Sequence, residues 1–498
     1  MATVSNQSNL QKVAIIGGGI SGSTAALTLA QKGLEVTVFE RNASLISGPP
    51  ICHLHAGGNL YREISQQQCL TLLRQSIDTV RLFQHTLNVR PTVIAVPITD
   101  PGSPSAMIPR LKVIQAAYQT LVDQDQNNQV LGDPSEYYKL YSCQELEAMK
   151  ERNQPVTPAS LDDWMVPFAQ QVDLDKMKFP VVVVQEYGWS VFRLSASANL
   201  ALASFDNCAL RLNTSVTNIA QQNNQWRVSY SCAKSACSEP SSGEDEPITT
   251  EVFDYLINAC GFETGTVDDW VQAPRQRLVE FKAAYVTHWP VCDQLWPEVI
   301  FHGPRGTPQG MAQLTPYPNG HFQLHGMTEE ITLFSDGLVA SCEQSSQPSL
   351  PSRLKRKVKQ GWSKQELVER SEKAIAHMSQ FIPGFKSAQV AGKPLYGAQQ
   401  IPGESVTLRA ADVSFAGCNY ARMEVVKGSS ALDASVKIFE QMQKSNWLIS
   451  ADDAEPIASP IHQLCAEQIE RKAEQLANLR GYPAVLAQSF PSLSSIEE

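Results

Sequence analysis

The hydrophobic residues near the start of the chain follow the pattern of a β-α-β unit. Residues 12–17 form a short apolar run ending in glycine, as is typical of a buried parallel strand. Residues 20–32 are rich in alanine and leucine and predict a helix, which Gly33 ends. Residues 34–39 alternate between apolar and polar and predict a second strand, which is closed by Glu40.

The middle of the chain predicts mainly strands. Residues 210–230 alternate on both sides of a polar turn and predict a hairpin. Residues 253–261 form another apolar run that ends in glycine, which predicts a further buried strand. Two more hairpin-like segments are predicted at residues 281–287 and 310–332, the second with its turn at Pro318-Asn-Gly320.

Two helices are predicted in the last third of the chain. Ser363 and Glu366 have the spacing of a capping box, which predicts a helix that begins there and extends to about Phe381. Residues 460–480 place apolar side chains on one helical face, and Gly481 follows as a stop signal.

The composition is that of a folded protein with a large core. Of the 498 residues 43% are hydrophobic, and the formal net charge of −10 has the wrong sign for a general nucleic-acid binder. The eleven cysteines include no Cys-x-x-Cys pair and no zinc spacing, so neither a disulfide scaffold nor a metal site is predicted. No apolar run approaches the ~20 residues that span a bilayer, and the polar first residues do not have the pattern of a signal peptide. We therefore expect a reduced protein of the cytoplasm.

The clearest chemical motif is the glycine turn Gly17-Gly-Gly19-Ile-Ser-Gly22, between the first predicted strand and helix. Gly17 permits the tight turn, Gly19 lets the backbone approach a pyrophosphate, and Gly22 brings helix and strand together. The helix N-terminus offers unpaired N–H groups to that anion. Glu40 can accept hydrogen bonds from ribose hydroxyls, which disfavours a 2′-phosphate. The unit therefore predicts a bound FAD or NAD and does not decide between them.

Three later segments, together with this unit, resemble the FAD-dependent oxidoreductase family of the D-amino-acid oxidase type. Residues 52–60 read Cys-His-Leu-His-Ala-Gly-Gly-Asn-Leu and resemble the family's segment that approaches the flavin. Residues 254–261 resemble a strand that ends against the cofactor, and residues 415–433 resemble a C-terminal glycine turn and helix. The resemblance covers roughly residues 12–440 and is nearest to the 2-hydroxyglutarate, glycerol-3-phosphate and malate dehydrogenases, which pass electrons to quinone or oxygen.

The resemblance implies an α/β fold (α+β overall), with a Rossmann-like FAD-binding domain around a parallel sheet and a substrate domain with an antiparallel sheet. The predicted domains are a discontinuous FAD-binding domain of residues 1–90, 186–275 and 388–450, a substrate domain of residues 91–185 and 276–387, and a C-terminal helical appendage of residues 451–498. The cofactor contacts that it implies are Gly17, Gly19, Ile20, Ser21, Gly22, Glu40, Arg41, His55, Ala56, Gly57, Val216, Gly261, Lys427, Gly428, Ser429 and Ser430.

The substrate side departs from the family at one position. Many members have Gly-x-Arg-Pro where this chain reads Gly397-Ala-Gln-Gln-Ile-Pro402, so the arginine that lies near a substrate carboxylate in those members is absent here. Arg422 and Lys427, close to the last flavin segment, are the cations that we predict as its replacement.

Three histidines are further candidates for catalysis. A neutral imidazole at His53 or His55 could take the proton of a substrate C–OH or C–NH group. His55 also aligns with the histidine that bonds covalently to FAD in some relatives, although a contact without chemistry is an equal alternative. His325 lies in the 310–326 hairpin, a kind of strand that covers the substrate in this family.

The resemblance implies an enzyme that removes a hydride from a small C–OH or C–N substrate and passes electrons to quinone or oxygen. One alternative is a flavin monooxygenase of the aromatic-hydroxylase type, whose late Gly-Asp motif is replaced here by Gly428-Ser-Ser430. A second alternative is a flavin-binding accessory or maturation protein without turnover of its own, which would fit the missing arginine.

A basic segment at residues 353–362 is a candidate for contact with a membrane surface. Five cations stand within seven residues, and apolar residues recur every four positions beside them; the segment comprises Arg353, Lys355, Arg356, Lys357 and Lys359 with Leu354, Val358 and Trp362. Such cations gain about 1 kcal/mol each near an anionic leaflet. Peripheral contact with the inner face of the membrane, where a quinone is reachable, is therefore a hypothesis beside a solvated basic segment.

Overall fold

The fold is described from a computed structural model, which describes residues 11–50, 54, 62, 64–232, 247–445, 447 and 459–491. The strands of these residues are β1 Lys12–Ile16, β2 Glu35–Phe39, β3 Leu87–Asn88, β4 Thr92–Pro97, β5 Tyr138–Tyr141, β6 Met177–Val184, β7 Gly188–Trp189, β8 Cys208–Arg211, β9 Thr214–Gln222, β10 Gln225–Cys232, β11 Thr249–Phe253, β12 Tyr255–Asn258, β13 Arg277–His288, β14 Glu298–Phe301, β15 Ala312–Tyr317, β16 His321–Gly326, β17 Leu338–Ala340, β18 Gln389–Val390, β19 Leu395–Pro402, β20 Val413–Phe415 and β21 Tyr420–Met423. The α-helices are α1 Ile20–Gln31, α2 Gln66–Leu82, α3 Ile108–Gln124, α4 Cys143–Met149, α5 Leu161–Gln171, α6 Val191–Leu202, α7 Thr264–Trp270, α8 Ser352–Gln360, α9 Lys364–Met378, α10 Ser430–Lys444 and α11 Ala466–Leu479.

A six-stranded sheet in the order β20-β21-β12-β1-β2-β8 forms the first layer. Its strands are parallel except for the edge strand β20, which pairs antiparallel with β21. The strands are apolar because helix α1 and the helices α6 and α10, which both pack on α1, share the core of this sheet. The predicted β-α-β unit and the predicted buried strand at 253–261 are confirmed, since β1 lies between β2 and β12.

A ten-stranded, largely antiparallel sheet forms the second layer, in the order β17-β13-β16-β15-β14-β4-β6-β5, with β18 and β19 also paired to β13. Successive side chains of a strand point to opposite faces. In β13, Phe281, Ala283 and Tyr285 pack into a core with residues of α5 and α9, while Glu280 and Lys282 face a cavity. The fold class predicted from the sequence, a parallel-sheet unit with a second antiparallel sheet, is therefore confirmed.

Several predicted elements differ in extent. Residues 281–287 are the middle of one continuous strand of 12 residues, whose partners β16 and β19 come from distant parts of the chain. Ser363 accepts a hydrogen bond from the backbone N–H of Glu366 and caps α9 as predicted, but the Glu366 carboxylate pairs with Lys357 and Arg370. The strands β18 and β19 lie within residues 388–450, which we assigned to the FAD-binding domain, and pair with β13 of the second sheet.

The apolar stripe of the basic segment faces the interior of the protein. Leu354 of α8 is fully buried in the core beside the second sheet, and Val358 and Trp362 pack against the same core. The Lys357 ammonium lies 4.4 Å from the centre of the Trp362 ring, and Arg353 pairs with Asp336. The protein's own core therefore occupies this stripe, and membrane contact through residues 353–362 stays a prediction that would depend on the charged side of α8. No helix of the described residues has the length and apolar character needed to cross a membrane.

Candidate active site

A cavity of about 1180 Å³ lies between the two sheets. One wall is formed by the carboxyl ends of β1, β2 and β12 and by the glycine turn before α1, and the opposite wall by β13, β15, β16 and β19. The crevice beyond the carboxyl ends of parallel strands is where ligands bind in sheets of this kind. The described part of the chain therefore has one large space that connects the glycine motif with the antiparallel sheet.

The three glycines of the turn meet different surroundings. Gly17 has a φ of +100°, and a Cβ there would lie 2.5 Å from the carbonyl oxygen of Ala259. A Cβ on Gly22 would lie 1.9 Å from the carbonyl oxygen of Gly17, so this position allows the close contact of α1 with β1. A Cβ on Gly19 would meet no protein atom within 4 Å, and Gly19 lines the cavity. The missing side chain of Gly19 thus leaves room for a ligand at the N-terminus of α1.

The Glu40 carboxylate holds the glycine turn in place. It is buried at the end of β2, accepts a hydrogen bond from the backbone N–H of Gly18 at 2.8 Å, and accepts two more from Asn42. Because each carboxylate oxygen can accept more than one hydrogen bond, these contacts are compatible with ribose hydroxyls as further donors. Glu40 also lines the cavity.

Most of the other predicted cofactor contacts in the described residues line the same cavity. They are Ile20, Ser21, Arg41, Val216, Gly261, Lys427 and Gly428. Arg41 pairs with Glu263 at 2.6 Å, and Gly261 has a φ of +58° with no protein atom within 4 Å of a Cβ built there.

Two predicted contacts point elsewhere. The Ser430 hydroxyl donates a hydrogen bond to Gln75, and the carbonyl of Ser429 accepts one from Thr79, so both serines join α10 to α2 and do not line the cavity. His53, His55, Ala56 and Gly57 lie outside the described residues.

Arg422 requires a correction. Its guanidinium is buried, pairs with the buried carboxylate of Asp268, and donates to the carbonyl of Ala273 at 2.7 Å. It does not line the cavity, because its position in β21 turns the side chain towards α7. The expectation that Arg422 replaces the missing substrate cation is therefore wrong. Lys427 does line the cavity.

The antiparallel wall contains charged residues that the sequence analysis missed. The carboxylate of Glu280 pairs with the ammonium of Lys282 at 2.7 Å and with the guanidinium of Arg305. Gln399, which stands at the position of the family's arginine, lines the cavity and donates its side-chain N–H to the carbonyl of Val426. One signal was available in the sequence: Glu280 and Lys282 are the only charged residues between positions 278 and 286 of this strand, where the other residues are apolar or aromatic.

A second missed group contains His302, which is buried and lines the cavity. The Arg62 guanidinium lies 2.9 Å from its Nδ1 and is itself paired with Asp100. Burial, with a smaller contribution from the Arg62 charge, lowers the pKa of His302 to about 4. A guanidinium can only donate hydrogen bonds, so Nδ1 of His302 accepts and the ring proton is on Nε2. His302 is therefore a neutral hydrogen-bond donor near neutral pH.

Two further polar residues face the cavity from the hairpin of β15 and β16. Gln313 and the predicted His325 stand opposite each other in register and both line the cavity. Gln313 donates to the carboxylate of Glu298, which forms a buried ion pair with Arg90. This buried pair fixes the orientation of the Gln313 amide at the wall.

The C-terminal segment completes the wall at another point. The guanidinium of Arg480 donates to the carbonyls of Ser47 and Gly48 and lies 5.0 Å from the ring centre of Phe192. Both Arg480 and Tyr482 line the cavity. Helix α11, which precedes them, packs on α6.

Comparisons with known proteins place these features in context. A family model described as FAD dependent oxidoreductase matches residues 12–397, and no curated protein matches the sequence. Glycine oxidase from Geobacillus kaustophilus is similar in structure, with 12% identity over 90% of this chain and 98% of that chain and a TM-score of 0.52. The glycerol-3-phosphate dehydrogenase from Bacillus halodurans complexed with FAD is 12% identical over 96% and 74%, with a TM-score of 0.53. The L-α-glycerophosphate oxidase from Mycoplasma pneumoniae with FAD bound is 15% identical over 90% and 97%, with a TM-score of 0.51. At these identities the solved structures show a shared fold.

Proposed function

The chain belongs to the family of FAD-dependent oxidoreductases, and from this premise we propose that it binds FAD along the cavity between the two sheets and oxidises a small substrate at the antiparallel wall. The observation that carries the proposal is the continuity of one cavity from Gly19 to β13, β15 and β16. Solved structures with this fold include a glycine oxidase and a glycerol-3-phosphate dehydrogenase, which suggests a C–N or C–OH bond as the bond that is oxidised.

The residues of the cavity fit FAD. The space beside Gly19 and the N–H groups at the start of α1 suit a diphosphate, and Glu40 suits an unphosphorylated ribose. Gly261 and Gly428 provide further points where backbone, without a side chain, borders the cavity. When bound, FAD supplies the acceptor for the hydride that leaves the substrate.

The antiparallel wall would orient the substrate by hydrogen bonds. His302 offers an N–H donor whose orientation is fixed by Arg62, and Gln313 offers an amide fixed by Glu298. Because the proton of His302 is on Nε2 and its pKa is far below neutrality, His302 does not accept the substrate proton. His55, or its neighbour His53, remains the proposed proton acceptor on the sequence pattern alone.

The electron acceptor is proposed to be oxygen or a quinone. Peripheral membrane contact through residues 353–362 would have to rest on charge, since the apolar side of α8 is buried. The exposed cations Lys355, Arg356 and Lys359 are those available for it. We therefore favour an acceptor that reaches the site from solution.

Purification and anaerobic titration test the proposed function. The protein should carry FAD with its visible absorbance, and one member of a panel of amino acids, N-methyl amines, 2-hydroxy acids and glycerol-3-phosphate should bleach it. A protein that cannot be reconstituted with FAD would contradict the proposal. Bound flavin that no member of a broad panel reduces would favour the accessory protein instead.

A further inference from the structure

The hairpin of β15 and β16 has two faces of opposite character. One face contributes apolar side chains to the core beside the second sheet, namely Ala312, Leu314, Phe322 and Leu324. The other face is polar and consists of three directly opposite pairs: Gln313 with His325, Thr315 with Gln323, and Tyr317 with His321. We call these six residues the polar ladder and its pairs, in this order, the inner, middle and outer pair. Because a polar face of an antiparallel sheet normally meets solvent, water is expected along the polar ladder.

The protein nevertheless covers the middle pair. Thr315 is 3% exposed and Gln323 is 1% exposed. Val286 of β13 stands directly opposite Gln323 and therefore shares its face. Val286 belongs to one core with Ile469 and Leu486, which come from the C-terminal part of the chain. The middle pair is thus cut off from bulk water although both of its side chains are polar.

Two polar atoms of the middle pair have no hydrogen-bond partner in the part of the chain that the structure describes. They are Oγ1 of Thr315 and Nε2 of Gln323. The amide oxygen of Gln323 does have a partner, since it accepts a hydrogen bond from the hydroxyl of Tyr317 at 3.4 Å. Buried polar atoms without a protein partner cost free energy and are the usual binding sites of internal water. The two atoms therefore indicate water inside the protein at the middle pair.

The polar ladder connects the cavity with the outside of the protein. Its inner pair, Gln313 and His325, lines the cavity. Its outer pair contains His321, which is half-buried. Four residues of strand β16 separate His325 from His321, a distance of about 14 Å at the usual rise of an antiparallel strand. Neighbouring pairs are about 7 Å apart along the strand, a gap that one water molecule can bridge between polar side chains.

The histidine at the outer end is arranged to accept a proton. Nδ1 of His321 lies 3.0 Å from the carbonyl oxygen of Asn319. Because a carbonyl only accepts hydrogen bonds, the proton of neutral His321 is on Nδ1, and Nε2 carries the lone pair. The ring of His288 stacks on that of His321 with 4.7 Å between the ring centres. Burial lowers the pKa of His321, so this imidazole passes a proton on to solvent more easily than an ordinary histidine.

We propose that the polar ladder, with water between its pairs, is a route by which a proton leaves the antiparallel wall of the cavity and reaches the surface at His321. Oxidation of a C–OH or C–NH group sends a hydride, with both electrons of the C–H bond, to FAD and leaves the proton of the O–H or N–H group in the cavity. A hydroxyl, a water molecule and an imidazole can each accept one proton and donate another. The inference rests on the proposed function and adds to it the path of the proton.

The stability of the FAD-free protein tests whether the middle pair is hydrated. The double variant Thr315→Val/Gln323→Leu replaces both unpartnered atoms with apolar groups of similar size. If the pair is dry, this exchange should raise the denaturant midpoint of unfolding, because it removes unsatisfied polar atoms. We expect the opposite, a lower midpoint, because the exchange removes the partners of buried water. Thr250→Val, at an exposed position of β11, is the matched control and should leave the midpoint nearly unchanged.

Proton release in a single anaerobic turnover tests the route itself. The reductant is the member of the substrate panel that bleaches the wild-type flavin, and a pH-indicator dye in weak buffer reports the proton. Proton release should keep pace with bleaching in wild type. In Thr315→Val/Gln323→Leu it should lag behind bleaching by roughly 10²-fold, the lower end of the effect of losing a positioned proton transfer. Thr315→Ser keeps a hydroxyl in the middle pair and should restore the pace of wild type. If the double variant does not fold, Thr315→Val alone takes its place.

Two results would overturn the inference. One is proton release that keeps pace with bleaching in the double variant, and the other is a higher denaturant midpoint of that variant. Both leave the proposed function standing, because wild type still holds FAD and a substrate still reduces it. A wild type that holds no FAD, or whose FAD no member of the panel reduces, would instead overturn the proposed function and the inference with it.

Discussion

Replacing Gly19 with valine separates cofactor binding from folding. Gly19 precedes α1 with φ −65° and ψ −173°, an extended conformation that any L-residue adopts. A Cβ there meets no protein atom within 4 Å. We therefore expect the stability of the FAD-free protein to change by less than about 1 kcal/mol, as for other substitutions that create neither a clash nor a cavity.

The valine side chain at position 19 should strongly weaken the binding of FAD. It would project into the space at the N-terminus of α1 where the diphosphate must approach the backbone N–H groups. A hydrogen bond to a charged group contributes about 1.5–3 kcal/mol. Loss of two such bonds therefore costs about 3–6 kcal/mol and lowers FAD affinity roughly 10²- to 10⁴-fold.

The assay compares two quantities measured on the FAD-free protein, the dissociation constant of added FAD and the denaturant midpoint of unfolding. Gly22→Ala is the matched control, because its Cβ would lie 1.9 Å from the carbonyl oxygen of Gly17 and should destabilise the FAD-free protein itself. A Gly19→Val protein that binds FAD as tightly as wild type would refute the assignment of this space to the diphosphate.

Three further predictions concern protonation, the predicted histidine and the basic helix. The pKa of His302 is lowered to about 4 in the folded protein, so as the pH falls below 6.5, the ordinary pKa of histidine, the unfolded chain takes up a proton before the folded protein does. Between pH 7 and pH 4, wild type should therefore lose about 3 kcal/mol more free energy of unfolding than His302→Gln, as measured by urea unfolding. Parallel pH profiles of the two proteins would contradict this. His55→Ala should lower FAD content or turnover, and acid precipitation of wild type should release the flavin into the supernatant; unchanged content and turnover in the variant would remove His55 from the site. Because the apolar side of α8 is buried, wild type should remain in the supernatant when it is centrifuged with anionic liposomes at low salt. If wild type sediments with the liposomes, and a variant with Lys355, Arg356 and Lys359 changed to glutamine does not, the membrane hypothesis is restored.

Local patterns predicted the first part of the fold well. The spacing of Gly17, Gly19 and Gly22 and the apolar runs on both sides are determined within forty residues, and the structure confirms the β-α-β unit. The cap at Ser363 is equally local. The Glu366 carboxylate, in contrast, binds Lys357 and Arg370. Sequence spacing alone does not decide which partner a carboxylate on a helix will bind.

The side chains that line the antiparallel wall of the cavity could not be predicted from local sequence patterns. Arg422 was chosen because it is close in sequence to the last flavin segment, but the face that its side chain occupies is set by the register of β21 with β12 and β20. Lys282 was missed because β13 meets β19 more than a hundred residues later. The stripe of Leu354 and Trp362 was ambiguous for another reason, since the same helical spacing suits a protein core and a membrane surface.

The contact between Arg480 and the loop at Ser47 and Gly48 sets the order in which this enzyme is completed during synthesis. The loop is made soon after the glycine turn, whereas its guanidinium partner is made more than four hundred residues later. The cavity therefore receives this part of its wall only after the chain has been made as far as Arg480. A chain cut short by a premature stop codon after α10 would contain all of the segment matched by the family model and would still lack a part of the cavity wall.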